Sequence, residues 1–150
     1  MTKPLRLTLR RRATGSETEL SLDVPSDLAY VGQAVELIAA ALPGGLLSAR
    51  RIRFNFRTAL AEALANAISY GNRHDRARLV RVRVEVSQDA VHLHVTDEGS
   101  GFNPARVPDP TSPDRLERED GRGLFVLKKL VDQVVFNEKG NSVCLTLRAG

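Results

Sequence analysis

Apolar positions recur every second residue in four stretches of the chain and every third or fourth residue in three others. "LRLTL" sets Leu5, Leu7 and Leu9 on one side, and "LSLDV" does the same with Leu20, Leu22 and Val24. That two-residue period is the mark of a half-buried strand, and the Gly15-Ser16 step between the stretches predicts a hairpin. "LVRVRVEV" alternates Val80, Val82, Val84 and Val86 with Arg81, Arg83 and Glu85, and "VHLHV" alternates Val91, Leu93 and Val95 with His92 and His94. Both read as strands, joined by a turn at Gln88-Asp89.

The helical period begins in "PSDLAYVGQAVELIAAAL", with Ser26 or Asp27 as the cap and Leu28, Val31, Val35, Ile38 and Leu42 as the buried stripe; Pro43-Gly44-Gly45 ends it. A second helix is expected over roughly Ala49 to Tyr70, with Phe56, Leu60, Ala63, Leu64, Ala67 and Ile68 inward and Gly71 at the C′ position. Periodicity then vanishes from Asn103 to Asp120, a polar run with Pro104, Pro108, Pro110 and Pro113. A loop of that length inside a compact domain is uncommon and is either functional or disordered. "GRGLFVLKKLVDQVV" resumes the helical period with Leu124, Leu127, Leu130 and Val131, and the chain closes on "VVF", a turn at Glu138 to Asn141, and "SVCLTL". Strands in runs separated by helices predict an α+β fold, a two-layer sandwich with helices on one face of a mixed, mostly antiparallel sheet.

Composition narrows this picture without redirecting it. At 150 residues, 42% of them hydrophobic, the chain has the size and apolar content of one domain over residues 1–150. A net charge of +4 suits an anionic ligand or partner, although basic clusters such as Arg10 to Arg12 are commonly solvated surface. Cys144 is the only cysteine, which excludes an intrachain disulfide and a multi-cysteine zinc site. The first residues lack the apolar core of a signal peptide, and no window reaches the ~20 apolar residues of a membrane span; a cytoplasmic, membrane-free protein is expected. His92 and His94 could be read as a metal pair, but no acidic partner is placed by local spacing and solvated strand residues explain them.

Three motifs carry chemistry. In "EALANAISYGN", Glu62 and Asn66 stand one helical turn apart, on the same side, beside the apolar stripe. "TDEGSGF" places Asp97 after a strand with Gly99 and Gly101 behind it; alone, this is a tight turn as readily as a ligand loop. "EDGRGLF" puts Gly121 and Gly123 at a helix start, where unpaired N–H groups and the helix dipole favour phosphate. No GxxxxGK[ST] occurs, so the chain is not a P-loop protein.

In this order, with a lid-length loop between the two glycine motifs, the elements resemble the GHKL ATP-binding domain. This is the Bergerat fold shared by gyrase, the ninety-kilodalton heat-shock chaperone, histidine kinases and mismatch-repair ATPases. The resemblance covers roughly residues 55–147, with "EALANAISYGN" as the N box and "DEGSGF" and "GRGLF" as the two glycine boxes. It implies that Asn66 ligates Mg²⁺ and that Glu62 is the general base, the catalytic residue. It implies also that Asp97 accepts from the adenine amino group, that Gly99 and Gly101 make room for the ring, and that Gly121, Arg122, Gly123 and Leu124 wrap the phosphates. The lid, 103–120, would close over them with Arg106, Arg115 or Arg118. The alternative for Glu62 is a structural carboxylate paired to Arg57 or Arg73, and for Asn66 a buried cap.

Within that superfamily the free-standing layout, and "GRGLFVLKKLVDQV" in particular, resembles the bacterial anti-sigma-factor serine/threonine kinases. Those proteins hold a sigma factor and phosphorylate an anti-anti-sigma antagonist. The resemblance implies ATP and Mg²⁺, those two protein partners and homodimerisation. A non-catalytic ATP-dependent switch of the same fold stays open. Direct nucleic-acid binding ranks last, for want of stacking aromatics and of a motif. The first helix has no Arg or Lys, so positive charge at the phosphates would come from Arg50, Arg51, Arg53, the lid or a partner subunit.

Overall fold

The computed structural model describes residues 7–100 and 119–150, with the backbone alone for 119–124. Its strands are β1 (Arg10–Thr14), β2 (Glu17–Pro25), β3 (Leu79–Val86), β4 (Ala90–Thr96), β5 (Gln133–Phe136) and β6 (Ser142–Arg148). They form one six-stranded sheet in the order β1-β2-β3-β4-β6-β5, and every neighbouring pair is antiparallel. The expected sheet is thus antiparallel throughout the described residues.

Alternation in the sequence sets the two faces of this sheet. Leu20, Leu22 and Val24 of β2, Val80, Val82 and Val84 of β3, Leu93 and Val95 of β4, and Leu145 and Leu147 of β6 are all buried in one core. The helices cover that face and add Ala34 and Ile38, then Phe56, Leu60, Leu64 and Ile68, and finally Leu127. This is the α+β sandwich that the pattern predicts. The opposite face carries polar partners in cross-strand register: Asp23 with Arg81, Glu85 with His92, His92 with Thr146.

The first strand lies further along than the leucine alternation suggests. The two-residue turn at Gly15-Ser16, where Gly15 has φ +59, sets the register from Thr14↔Glu17 to Arg10↔Ser21, so the ladder holds "RRRAT" instead of "LRLTL". Leu7 is buried and Leu9 packs against the core ahead of the strand, while Leu5 lies outside the described residues. A basic edge strand exposed along its length discourages pairing with another sheet.

A short 3₁₀ turn at Leu28–Tyr30 precedes α1 (Val31–Ala41). Asp27 is its cap, its Oδ1 accepting from the Ala29 N–H at 3.0 Å. Ser26, the other candidate, is buried instead and donates to the Arg78 carbonyl at 2.7 Å. Leu28, expected inward, is 47% exposed because it belongs to the 3₁₀ turn and not to the α-helical stripe. The second helical run is continuous from α2 (Ala49–Arg51) through a π-helical segment at Ile52–Phe56 and α3 (Arg57–Asn66) to a second π-helical segment at Ala67–Gly71. Among the described residues no helix is long and apolar enough to cross a membrane.

Candidate nucleotide site

The site is built where the end of α3 meets the end of β4. Asn66, the last residue of α3, leads directly into the π-helical segment, in which the Asn72 N–H reaches back to the Ala67 carbonyl at 2.8 Å. Such widened turns inside helices recur at functional sites. Here the turn ends on Gly71, whose α-carbon lies against the Asp97 side chain: a β-carbon at Gly71 would overlap the Asp97 carboxylate. Left-handed backbone conformation falls on Arg73 (φ 51) and His74 (φ 59), so Gly71 is not the C′ residue that the sequence suggests. It is a glycine of close approach.

Asp97 follows β4 and is held on several sides. Its N–H donates to the Asn141 carbonyl at 2.8 Å, its carbonyl accepts from Asn141 Nδ2 at 3.0 Å, and its Oδ1 accepts from the Gly99 N–H at 2.8 Å. Asn141 is itself set by the β5–β6 turn, in which Asn137 Oδ1 accepts from the N–H groups of Gly140, Asn141 and Ser142. Burial pushes the Asp97 carboxyl above its ordinary value, opposed by the Gly99 N–H and by the charges of Lys139 and Arg78. Gly99 likewise has no room for a β-carbon, since one would overlap the Gly71 carbonyl.

Together these elements enclose a cavity. Ala63, Ala67, Val95, Leu127, Phe136 and Val143 give it apolar walls, and Asn66, Asp97, Arg73, Asn141 and Ser142 supply polar groups. An apolar slot with a few convergent polar groups suits a flat heteroaromatic ring that is fixed by hydrogen bonds at its edge. A half-buried carboxylate as acceptor at the edge of such a slot fits an aminopurine. For a metal, the described residues hold no cluster of three or more His, Cys, Asp or Glu side chains. Asn66 could offer one oxygen, which suits Mg²⁺, an ion that takes few protein ligands beside water and phosphate.

The candidates from the sequence divide accordingly. Asn66 and Asp97 line the same cavity, and Gly99 closes the loop behind Asp97. Glu62 is half-buried one turn before Asn66 and is not among the cavity-lining residues. Its structural alternative loses one partner, because Arg57 pairs with Glu36, and among the described residues no ion pair includes Glu62. Gly101 and the lid, 103–118, with Arg106, Arg115 and Arg118, lie outside the described residues. Gly121, Arg122, Gly123 and Leu124 fall in the first turns of α4 (Glu119–Leu130), which begins two residues before the glycine pair. Of the candidate arginines outside the lid, Arg51 is engaged elsewhere, bridging Asp132 at 3.0 Å and the Arg148 carbonyl.

Residues 24–147 match the family described as histidine kinase-like ATPase domain. The chain belongs to that family. Membership in a family of ATPase domains implies ATP binding. Relatives include proteins named anti-sigma F factor: one from Geobacillus thermodenitrificans is 35% identical over 88 residues, 57% of this chain and 60% of the relative. Another, from Geobacillus stearothermophilus, is 34% identical over the same shares. A third, from Clostridium perfringens strain SM101, is 31% identical over 98 residues, 63% of this chain and 69% of the relative. The chain thus spans about 60% of the length of the Geobacillus relatives it matches.

Asn72, Gly71 and Asn141 contribute to the site although sequence reading assigned the first no role, the second a capping role and the third a turn. Polar residues of the same type cap helices and turns throughout proteins, so only the contact pattern separates them.

The histidines of the open sheet face have partners of their own. His94 Nε2 lies 3.0 Å from Glu85 Oε1, and His92 Nδ1 lies 3.0 Å from Thr146 Oγ1. Burial and then Arg83 lower the His94 pKa, and burial pushes the Cys144 thiol up, away from the reactive thiolate.

Proposed function

We propose that the chain is an ATP-dependent serine/threonine protein kinase of the anti-sigma type, which holds a sigma factor and phosphorylates an anti-anti-sigma antagonist. The observation that carries this reading is the half-buried Asp97 carboxylate lining an apolar cavity against Gly71. A carboxylate that accepts from an adenine amino group is worth about 1.5–3 kcal/mol, enough to choose the base. The name anti-sigma F factor, borne by the relatives, supports a sigma factor as one partner.

Bound MgATP supplies the transferable phosphoryl group and the cation that neutralises its charge. In this reading Asn66 holds the cation through its side-chain oxygen, and Glu62 takes the proton of the attacking serine or threonine hydroxyl as the general base. Gly99 lets the loop behind Asp97 close against Gly71, Gly101 leaves space for the ring, and the first turn of α4, with Gly121 and Arg122, offers the unpaired backbone N–H groups for the phosphates. Homodimerisation and a cytoplasmic location belong to the same proposal. Incubating the chain with MgATP and an anti-anti-sigma protein tests it: phosphate on a serine or threonine of that protein, lost with Glu62→Ala, is the expected result.

One observation favours a second reading, a nucleotide-dependent binding switch without transfer. Glu62 does not line the cavity that holds Asn66 and Asp97. ATP binding that alters partner affinity, with no phosphate appearing on any antagonist, would support the switch.

A further inference from the structure

Ser26, Asn72 and Thr146 are the buried polar side chains among the described residues, and Asn72 is fully buried. An amide placed there needs partners, because an unpaired one costs about 1–3 kcal/mol. Asn72 has them on both ends: Nδ2 donates to Ser26 Oγ at 2.9 Å and to the Leu79 carbonyl at 3.1 Å, and Oδ1 accepts from the Glu98 N–H at 2.7 Å. These contacts join the end of the second π-helical segment, the β2–α1 junction, the start of β3 and the loop after β4. Ser26 is anchored in turn by its bond to the Arg78 carbonyl.

The contact with Glu98 bears most directly on the site. The Glu98 N–H belongs to the peptide that leaves Asp97, so Asn72 fixes the plane of that peptide from one side while Asn141 grips the Asp97 N–H and carbonyl from the other. Gly71, immediately before Asn72, is the surface on which the carboxylate rests. One short segment thereby supplies both the floor under Asp97 and the clamp on its backbone. A solvent-facing helix end needs neither.

We propose that Asn72 is a positioning residue for base recognition: through Glu98 it sets the direction of the Asp97 carboxylate, and so governs discrimination for a purine that carries an exocyclic amino group. The inference rests on the reading of the cavity as an adenine site. Asn72 does not touch the base; it acts through Asp97, with Ser26 as its support.

Calorimetric titration of the full chain with Mg²⁺ and either ATP or purine riboside triphosphate, which lacks the amino group, tests this. The expected wild-type preference for ATP is about 10- to 100-fold, the worth of one charged hydrogen bond. Asn72→Ala shrinks that ratio to within about threefold of unity by weakening ATP alone, leaving the affinity for the analogue near the wild-type value. Ser26→Ala, a milder change that keeps the bond from Glu98, reduces the ratio in the same direction and decides the matter if Asn72→Ala does not fold. A purely structural role would lower both affinities together and preserve the ratio, which overturns the proposal, as does an unchanged ratio in both variants. A wild type that binds neither nucleotide overturns the adenine reading itself.

Discussion

Oδ2 of Asp97 occupies the space that a β-carbon on Gly71 would fill. The last turn of the helix that carries Asn66 and the loop that follows β4 therefore meet with only the Asp97 carboxylate between them, beside the cavity. Gly71→Ala must displace either the carboxylate or the helix end. Overpacking of this kind costs about 1–3 kcal/mol. It is expected as a lower urea midpoint with unchanged slope, together with weaker ATP binding. Gly32→Ala in α1 is the control: nothing lies within 4 Å of its β-carbon, so relief of chain entropy stabilises by about 0.5–1 kcal/mol.

The raised Asp97 pKa gives a pH dependence with a definite sign. Its charged form is disfavoured in the fold, so the folded carboxyl binds a proton at a higher pH than the unfolded one does. The stability penalty is present above the folded pKa and is relieved as pH falls through it. Nucleotide affinity moves the other way: acidification removes the acceptor, so ATP binding weakens at a higher pH than an ordinary aspartate would produce. Titrating affinity against pH for wild type and Asp97→Asn, with purine riboside triphosphate as the control for phosphate ionisation, measures it; the dependence on base is expected in wild type only.

Asp132 gives the opposite case. Its Oδ2 accepts from the Arg148 N–H at 2.7 Å and from Arg51 Nη2 at 3.0 Å, and the first of these contacts leads in lowering its pKa. The stability it contributes is complete above the unfolded pKa and is lost as pH falls through the folded one. Asp132→Asn costs about 0.5–1.5 kcal/mol at neutral pH, small because the pair is partly exposed. The difference in urea midpoint between variant and wild type is expected to vanish in acid.

Much of this was legible in the sequence, for reasons visible in particular residues. Val80, Val82 and Val84 against Arg81, Arg83 and Glu85 can satisfy a two-sided sheet in one way only, since a slip of one residue would bury the charges. Phe56, Leu60, Leu64 and Ile68 likewise declare a buried helix face. β1 lies beyond the leucine alternation because backbone pairing across the Gly15-Ser16 turn outweighs that alternation at an edge. The contact of Gly71 with Asp97 joins residues 26 positions apart, and local spacing carries no sign of it. The same distance separates Asn72 from the Glu98 N–H that it accepts.

Glu62 separates kinase from switch. Loss of a positioned general base typically slows transfer by about 10²- to 10⁴-fold. Glu62→Gln is expected to bind ATP as wild type does and to lose transfer to an antagonist by that factor, read as radiolabelled phosphate on the antagonist. Equal transfer by variant and wild type would remove Glu62 from the chemistry.

Packing of the helical layer on the sheet rests on side chains such as Phe56, which is fully buried in the shared core. Phe56→Ala is expected to lower stability by about 3–5 kcal/mol, measured by denaturant unfolding.

The central claim is that Asp97 reads an adenine ring in the cavity, and magnesium-dependent ATP titration of wild type beside Asp97→Asn tests it most directly. Saturable binding by wild type, weakened about 10- to 100-fold in Asp97→Asn with an unchanged unfolding midpoint or a higher one, is the predicted result. Equal binding by the two proteins, or none by wild type, would contradict it.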